Sequence, residues 1–330
     1  MTAHRSRSGR SGLAAVCAAL VAAACAHAPS APALPPHPLE SPPPSPDLVG
    51  RITYREAKAE DTLIDLAPEL GVGYVELVAA NPGIDPWLPP DGARLVVPAA
   101  RLLPAAKREG IVVNLGDLHL YYFAKGQPPR AYPIGIAKDG YATPLGVTKV
   151  TAKKQKPTWV PGPSARIDKP ELPKAIPPGP DNPLGEFALY LSWPSYLIHG
   201  TNDPRGVGRH SSRGCIRLYP ADIEVLFKEV ALGTPVRVVN EPVKLGWIGG
   251  ELYLEVNPDA DASLELDETA KVAQPKPPKG LRELVKKAAG KEVERVDWAR
   301  VDRTGQRQLG IPIRITKPAK TGGPESATAK

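Results

Sequence analysis

Short stretches of alternating apolar and polar residues dominate the middle of the chain. Residues 111–114 and 118–123 alternate on either side of a Leu115-Gly116-Asp117 turn, which is typical of a β-hairpin. Further short apolar runs, separated by Gly and Pro, predict strands at 131–136, 147–151, 186–191 and 196–199. A helical period in residues 221–230 places Ile223, Leu226, Phe227 and Val230 on one face. The pattern predicts a mainly β domain over residues 109–240.

A smaller pattern precedes this domain in residues 51–98. Strand-like residues at 51–54 and 95–98 flank two predicted helices. Asp61-Thr62 can cap the first helix, which Pro68 is expected to limit, and Asn81-Pro82-Gly83 ends the second. This βααβ order and its landmarks resemble the LysM module, which binds the N-acetylglucosamine-containing glycan of peptidoglycan or chitin. The resemblance implies glycan binding, and a spacer that binds nothing is the alternative.

Two long segments carry weaker patterns. Residues 155–185 form a Pro-rich loop, and a loop of that length inside a compact domain is usually functional. Residues 241–330 are predicted to begin with a hairpin around Gly249-Gly250 and to continue as a charged tail. A helix at 280–289 and a weak strand at 311–316 are expected within that tail.

The N-terminal residues predict export. Residues 1–28 combine basic residues with an apolar stretch at 13–24 that is too short to span a bilayer, and they end in Ala26-His27-Ala28. Residues 20–25 also resemble a bacterial lipoprotein signal, in which Cys25 would be lipidated, and both interpretations remain open. The Pro-rich residues 29–50 are predicted to be an extended tether. The expected location is the periplasm or cell envelope, with membrane contact only through a lipid at Cys25.

Charge and composition limit the classes of molecule that the protein is expected to bind. The net charge of +7 fits a polyanionic surface such as a cell wall. A dense stripe of Lys and Arg interleaved with aromatic residues would favour nucleic acid as a partner, and the sequence contains no such stripe. The sequence contains no group of His, Asp and Glu with zinc-ligand spacing, so neither a metal nor a cofactor is predicted. His119, in an alternating strand, is expected to be a partly exposed sheet residue.

The cysteines are Cys17, Cys25 and Cys215, and the first two lie in the signal region. An exported protein meets an oxidising compartment, where cysteines are usually paired. A lone Cys215 therefore indicates either a functional thiol or an inert buried one.

The neighbours of Cys215 favour a functional thiol. His199 ends an apolar strand and is followed by Gly200, while Cys215 follows Gly214 and precedes an apolar residue. A thiol with a pKa of about 8.5 is only slightly ionised at neutral pH, but beside a histidine it can form a thiolate–imidazolium pair. Such a pair attacks amide carbonyls, and backbone N–H groups near the nucleophile can receive the oxyanion.

The His-Gly pair and the later Ser-x-Gly-Cys-Ile-Arg segment at 212–217 resemble the YkuD domain of L,D-transpeptidases. Segments 132–136, 143–146 and 176–185 look most like the ErfK/YbiS/YcfS/YnhG group. The resemblance implies a β-sandwich catalytic domain and an acyl-enzyme on Cys215, with His199 as the base. It also implies that the carbonyl of Gly200 orients His199 and that a peptidoglycan stem tetrapeptide is the acyl donor.

The same segment supplies the predicted substrate-binding residues, which are Ser212, Arg213, Gly214 and Arg217. Many family members have His where this chain has Arg213, so any part that a second histidine plays in shaping the site is in doubt. Arg217 could bind a substrate carboxylate, since a guanidinium makes bidentate contacts, or it could belong to a structural ion pair.

Several functions fit these residues. The acyl group could pass to another stem peptide, which gives a 3–3 cross-link, or to a lysine of an envelope lipoprotein. Water as the acceptor would make the protein an L,D-carboxypeptidase or a link-cleaving hydrolase. A non-catalytic peptidoglycan-binding protein is another alternative, and the presence of both Cys215 and His199 argues against it. A cysteine protease that acts on ordinary proteins is a more distant one.

Overall fold

The computed structural model describes residues 39, 41–271 and 275–317. The predicted signal segment with Cys25, and most of the predicted tether, lie outside the described residues. No helix in the described part of the chain is both long and apolar enough to cross a bilayer.

The N-terminal part of the described chain is a small βααβ unit. Its elements are β1 (Leu48–Val49), β2 (Ile52–Glu56), α1 (Leu63–Leu70), α2 (Tyr74–Ala80), β3 (Arg94–Pro98) and β4 (Arg101–Leu102). β2 and β3 pair antiparallel, and β1 pairs antiparallel with β4. Every residue of α2 is buried, so this helix lies between the unit and the rest of the protein.

Local chemistry sets the ends of α1. The side chain of Thr62 accepts a hydrogen bond from the backbone N–H of Asp65 at 3.2 Å, which caps the first turn. The expectation that Pro68 limits the helix is wrong, because Pro68 lies inside α1. The helix ends instead at Gly71, whose φ of 67° lies in the left-handed region that glycine adopts without steric cost.

The central part of the chain is mainly β, as predicted. Its strands are β5 (Gly110–Asn114), β6 (His119–Phe123), β7 (Arg130–Pro133), β8 (Ile136–Ala137), β9 (Gly146–Gln155), β10 (Phe187–Leu191), β11 (Leu197–His199), β12 (His210–Ser212), β13 (Ile216–Arg217) and β14 (Pro235–Val239). Eight of them form one curled sheet in the order β13-β11-β10-β9-β14-β5-β6-β7. The remaining two, β8 and β12, pair parallel beside it.

Two helices accompany this sheet. The predicted loop at 155–185 contains α3 (Pro163–Asp168), and the predicted helix near 221–230 is α4 (Pro220–Glu229). Ile223 and Leu226 of α4 are fully buried in a core that also contains Leu63 and Leu66 of α1. The βααβ unit and the sheet therefore share one hydrophobic core.

The C-terminal part is folded rather than only a charged tail. β15 (Val243–Ile248) and β16 (Glu251–Val256) form the hairpin expected around Gly249-Gly250. They are followed by α5 (Ala260–Thr269), α6 (Leu281–Ala289), α7 (Trp298–Arg307) and β17 (Ile313–Arg314). β17 adds to β16 as a third strand, and a separate apolar cluster joins this sheet to α6 and α7. The helix predicted at 280–289 and the strand predicted at 311–316 correspond to α6 and β17, whereas α5 and α7 were not predicted.

Candidate active site

Cys215 and His199 project from one end of the large sheet. β13 and β11 run parallel there, with Ile216 opposite Ile198 and Arg217 opposite His199. Successive side chains of a strand point to opposite faces, and both isoleucines are buried in the core. His199, Arg217 and the preceding Cys215 therefore face the other side together.

The imidazole of His199 is buried and oriented. His199 is only 4% exposed, and its Nδ1 lies 2.6 Å from the carbonyl oxygen of Gly200. A carbonyl can only accept, so Nδ1 carries the hydrogen and Nε2 of the neutral ring keeps its lone pair. Burial, together with the positive charge of Arg217, lowers the pKa of His199 to about 4. The ring is consequently a neutral base at physiological pH.

The thiol of Cys215 is partly buried and protonated at rest. Its Sγ lies 3.5 Å from the carbonyl oxygen of Ser195, which accepts the thiol hydrogen. Burial raises the pKa of Cys215, while the backbone N–H of Leu197 and the charge of Arg217 act in the opposite direction. The thiol and the imidazole are therefore both neutral at rest, whereas the sequence indicated that the two could form a thiolate–imidazolium pair.

A tight turn fixes the backbone of Cys215. The hydroxyl of Ser212 donates to the carbonyl of Cys215 at 2.6 Å and accepts from the backbone N–H of Gly214 at 3.1 Å. Gly214 has a φ of 115°, and a Cβ at this position would lie 2.9 Å from both the carbonyl oxygen of Ala142 and the ring of Tyr196. Only glycine fits there, which explains why it precedes the cysteine.

Arg217 places a positive charge beside Cys215 and His199. Its Nη1 lies 3.3 Å from the hydroxyl of Ser211, and its Nε is buried without a hydrogen-bond partner. Burial lowers the pKa of Arg217, whereas nearby Asp203 raises it. Among the residues that the structure describes, no carboxylate forms an ion pair with Arg217. Asp203 is a nearby carboxylate that interacts with Arg217 electrostatically without forming an ion pair with it.

Arg213 is engaged differently. Its guanidinium lies 2.7 Å from the carboxylate of Asp168, at the end of α3. The same carboxylate accepts from Lys138 and from the hydroxyl of Tyr141, both at 3.2 Å. Asp168 therefore holds the long 155–185 loop against the residue that precedes Gly214. The sequence did not single out Asp168, because nothing local distinguishes it from other surface acids.

The other two described histidines lie in different surroundings. His119 is 1% exposed, so the expectation of a partly exposed residue is wrong. Its Nδ1 donates to the carbonyl of Asp117 at 2.6 Å, inside a group of buried charges. His210 is half-buried, and its ring meets the hydroxyl of Ser263 at 2.9 Å. No group of His, Cys, Asp and Glu among the described residues has the geometry to hold a metal ion.

Comparison with known proteins places this site in a family. Residues 108–238 match the family model described as YkuD, the L,D-transpeptidase catalytic domain. The probable L,D-transpeptidase ErfK/SrfK of Salmonella typhimurium is 38% identical over 83% of this chain and 90% of its own length. The probable L,D-transpeptidase YcfS of Escherichia coli is 41% identical over 62% of this chain and 67% of its own. An L,D-transpeptidase structure from Enterococcus faecium covers 40% of this chain and 50% of that one, at 24% identity and a TM-score of 0.33.

Proposed function

The chain belongs to the L,D-transpeptidase family, and on that premise we propose that it transfers peptidoglycan stem peptides through an acyl-enzyme on Cys215. The observation that carries this proposal is the shared face of Cys215, His199 and Arg217 at the end of two parallel strands. A nucleophile, a neutral base and an unpaired cation are the groups that such a transfer needs.

In the acylation step, Sγ of Cys215 attacks the carbonyl that joins the third stem residue to the terminal D-alanine. Nε2 of His199 takes the thiol proton as the carbon–sulfur bond forms, so no ionised thiol has to exist beforehand. The carbon–nitrogen bond to D-alanine then breaks, and His199 returns the proton to the leaving amine. Backbone N–H groups near the nucleophile can stabilise the developing oxyanion, and the N–H of Leu197 favours negative charge on the sulfur of Cys215.

In the second step an amine attacks the thioester. Its carbon–nitrogen bond forms, the carbon–sulfur bond breaks, and the amine proton returns through His199 to Cys215. The side-chain amine of another stem peptide would give a 3–3 cross-link, and a lysine of an envelope lipoprotein would give an attached protein. We propose the cross-link as the main product, with hydrolysis as the competing fate of the thioester.

The positive charge of Arg217 favours an acyl donor that ends in a free carboxylate. A partly desolvated guanidinium binds a carboxylate more strongly than an exposed one does, because little water has to be displaced. A tetrapeptide carries such a carboxylate on its terminal D-alanine, one residue beyond the bond that breaks. We therefore assign Arg217 to the recognition of that group, with Ser212, Arg213 and Gly214 shaping the surrounding site.

The βααβ unit is proposed to bind glycan as a LysM-like module. Trp87 is 57% exposed and Leu88 is 73% exposed, and both lie in the loop between α2 and β3. The backbone N–H of Leu63 donates to the carbonyl of Pro86 at 2.8 Å, so the loop before α1 lies beside this apolar pair. An exposed aromatic face next to polar loops suits a sugar ring.

Export to the cell envelope is the location that this function requires, and lipidation at Cys25 is one way to keep the enzyme there. Separation of cell fractions, followed by mass spectrometry of the mature N-terminus, tests both. A cytoplasmic full-length protein would contradict export.

The catalytic proposal is tested by incubating the full chain with purified tetrapeptide-containing muropeptides and identifying the products by mass spectrometry. The wild-type protein is expected to release D-alanine and form cross-linked dimers, and Cys215→Ala is expected to do neither. Release of D-alanine without dimers would identify a carboxypeptidase. Transfer by Cys215→Ala would refute the acyl-enzyme on this residue.

A further inference from the structure

The segment that joins His199 to Cys215 is held in place by residues outside the matched catalytic region. Residues 200–214 leave the sheet after β11 and return to it at β13. Both the βααβ unit and α5 contact this segment, at Gly208 and at His210 respectively. A segment that places a nucleophile must be rigid, because a misplacement of about 1 Å can cost roughly 100-fold in rate.

The contact with the βααβ unit is close at Gly208. The backbone N–H of Val75 donates to the carbonyl of Gly208 at 3.1 Å. A Cβ on Gly208 would lie 2.1 Å from the Cα of Gly73, so the two backbones touch without room for a side chain. Asp65 of α1 also pairs with Arg205 at 2.6 Å, but both side chains are exposed and the pair contributes little.

The contact with α5 is buried and charged. Asp267 is 8% exposed, and one of its carboxylate oxygens accepts from the guanidinium of Arg209. Its other oxygen accepts from the backbone N–H of His210 at 2.9 Å. The guanidinium of Arg209 also lies over the ring of Tyr74, with its central carbon 5.2 Å from the ring centre. A buried carboxylate with both oxygens occupied fixes the backbone it binds, because releasing it would leave an unpaired charge.

β12 and the turn after it connect the restrained backbone at His210 to Cys215. β12 begins at His210 and pairs with β8, so its first residue sets the register of the strand. β12 ends at Ser212, whose hydroxyl binds the backbone of both Gly214 and Cys215. The position of the nucleophile therefore depends on a short series of contacts that starts at α5.

We propose that Asp267 is a positioning residue for Cys215. Its carboxylate, supplied by the C-terminal part of the chain, anchors the backbone at His210 and so keeps Sγ aligned with His199. The proposal rests on the acyl-enzyme function proposed above for Cys215. It assigns a role in the reaction to a helix that lies outside the matched family region.

The test compares Asp267→Ala and Asp267→Asn in the full chain, with Asp302→Ala as the matched control. Asp302 lies on α7 and forms an exposed ion pair with Arg282. We expect Asp267→Ala to lower kcat roughly 10- to 100-fold with KM nearly unchanged, because the substrate groups are intact but the sulfur is displaced. Asp267→Asn keeps an acceptor for the N–H of His210, so its kcat should fall less than that of Asp267→Ala. Asp302→Ala should behave as wild type.

A second readout does not depend on transpeptidation. The rate of alkylation of Cys215 by iodoacetamide, followed by peptide mass spectrometry, reports the reactivity of the thiol itself. We expect this rate to fall at least about threefold in Asp267→Ala, since the sulfur moves away from the N–H of Leu197 and the charge of Arg217, which favour the thiolate. If the acyl-transfer proposal fails, this measurement still decides whether Asp267 positions Cys215.

Loss of stability is separated from loss of position by the double variant Arg209→Ala/Asp267→Ala, which leaves no unpaired buried charge. All variants are assayed below their measured unfolding temperatures. A double variant that stays slow in both readouts supports the proposal. Recovery of wild-type kcat and alkylation in the double variant, or a kcat within about twofold of wild type in Asp267→Ala, would overturn it.

Discussion

At the scale of single residues, burial decides the protonation states of Cys215 and His199. Burial raises the pKa of the thiol and lowers that of the imidazole to about 4, so both groups are neutral at pH 7. In the proposed mechanism the neutral imidazole accepts the thiol proton during attack, which makes proton transfer part of the chemical step. The carbonyl of Gly200 fixes the tautomer that leaves Nε2 free for this task.

The two histidines near Cys215 should differ in importance. His199→Ala is expected to lower kcat/KM by roughly 100- to 10,000-fold, the usual range for loss of a general base. His210→Ala is expected to lower it by no more than about tenfold, because its ring only contacts Ser263 and the carbonyl of Ala137. Acylation rates measured for both variants check this ranking, and the reverse order would identify His210 as the base.

The pH dependence of kcat/KM should report the low pKa of His199. His199 must be neutral to act as a base, so activity should persist on lowering the pH and decline only near its pKa of about 4. Arg217→Gln removes a charge that lowers this pKa, so the acid limb should move to higher pH. KM for the tetrapeptide should rise in the same variant.

Arg213→Gln is the matched control for that experiment. It removes an arginine close in sequence whose charge is paired with Asp168, whereas Arg217 is the charge that acts on His199, so the acid limb should stay in place. A wild-type limb near 6.5, the ordinary value of histidine, would contradict the proposed neutral base.

At the scale of elements, a few strands and helices place the groups of the site. β11 and β13 place His199 and Arg217 side by side. α3 places Asp168 against Arg213, and α5 places Asp267 against the segment between His199 and Cys215. The βααβ unit adds α2, which is buried against the same segment, and a loop that exposes Trp87.

The proposed glycan contact of this loop can be tested in the full chain. Trp87→Ala is expected to weaken binding to insoluble peptidoglycan sacculi roughly tenfold, because an exposed ring contributes most of its contact area to a bound sugar. Binding is measured by co-sedimentation with Cys215→Ala as the background, which prevents turnover. Trp247→Ala, another partly exposed tryptophan on β15, is the control. If the Cys215→Ala background and its Trp87→Ala and Trp247→Ala variants all bind equally, the βααβ unit is better described as a spacer.

At the scale of the whole molecule, a buried set of charges joins parts that are distant in sequence. Lys244 on β15 contacts Asp117 at 2.6 Å and Glu255 on β16 at 2.7 Å, and all three side chains are almost fully buried. Arg101 on β4 pairs with Glu76 of α2 at 2.8 Å beside His119. These contacts link the βααβ unit, the large sheet and the C-terminal hairpin into one body.

Removing a central cation should therefore destabilise the entire described fold. Lys244→Ala leaves the carboxylates of Asp117 and Glu255 buried without their shared partner, which typically costs about 3–5 kcal/mol. The free energy of unfolding from urea titration measures the loss. Arg282→Ala, which breaks an exposed pair with Asp302, should cost only about 0.2–1 kcal/mol. Similar values for both variants would show that the buried group is not a structural centre.

The sequence by itself indicated Cys215 and His199 as the candidate reacting groups, together with the short segments around them. Alternating residues predicted the strands, Gly200 directly follows the strand that ends at His199, and Gly214 directly precedes Cys215. The family resemblance followed from the same short segments. These features are local, since they depend on residues within a few positions of each other.

The tertiary structure alone decided the protonation states and the supports of the site. The low pKa of His199 comes from burial and from Arg217 on the neighbouring strand. Asp168, Asp267 and Lys244 meet their partners across 45, 58 and 127 positions in the sequence. Nothing local marks such residues, because a surface acid and a buried one have the same neighbours in the chain until the fold brings a distant partner to them.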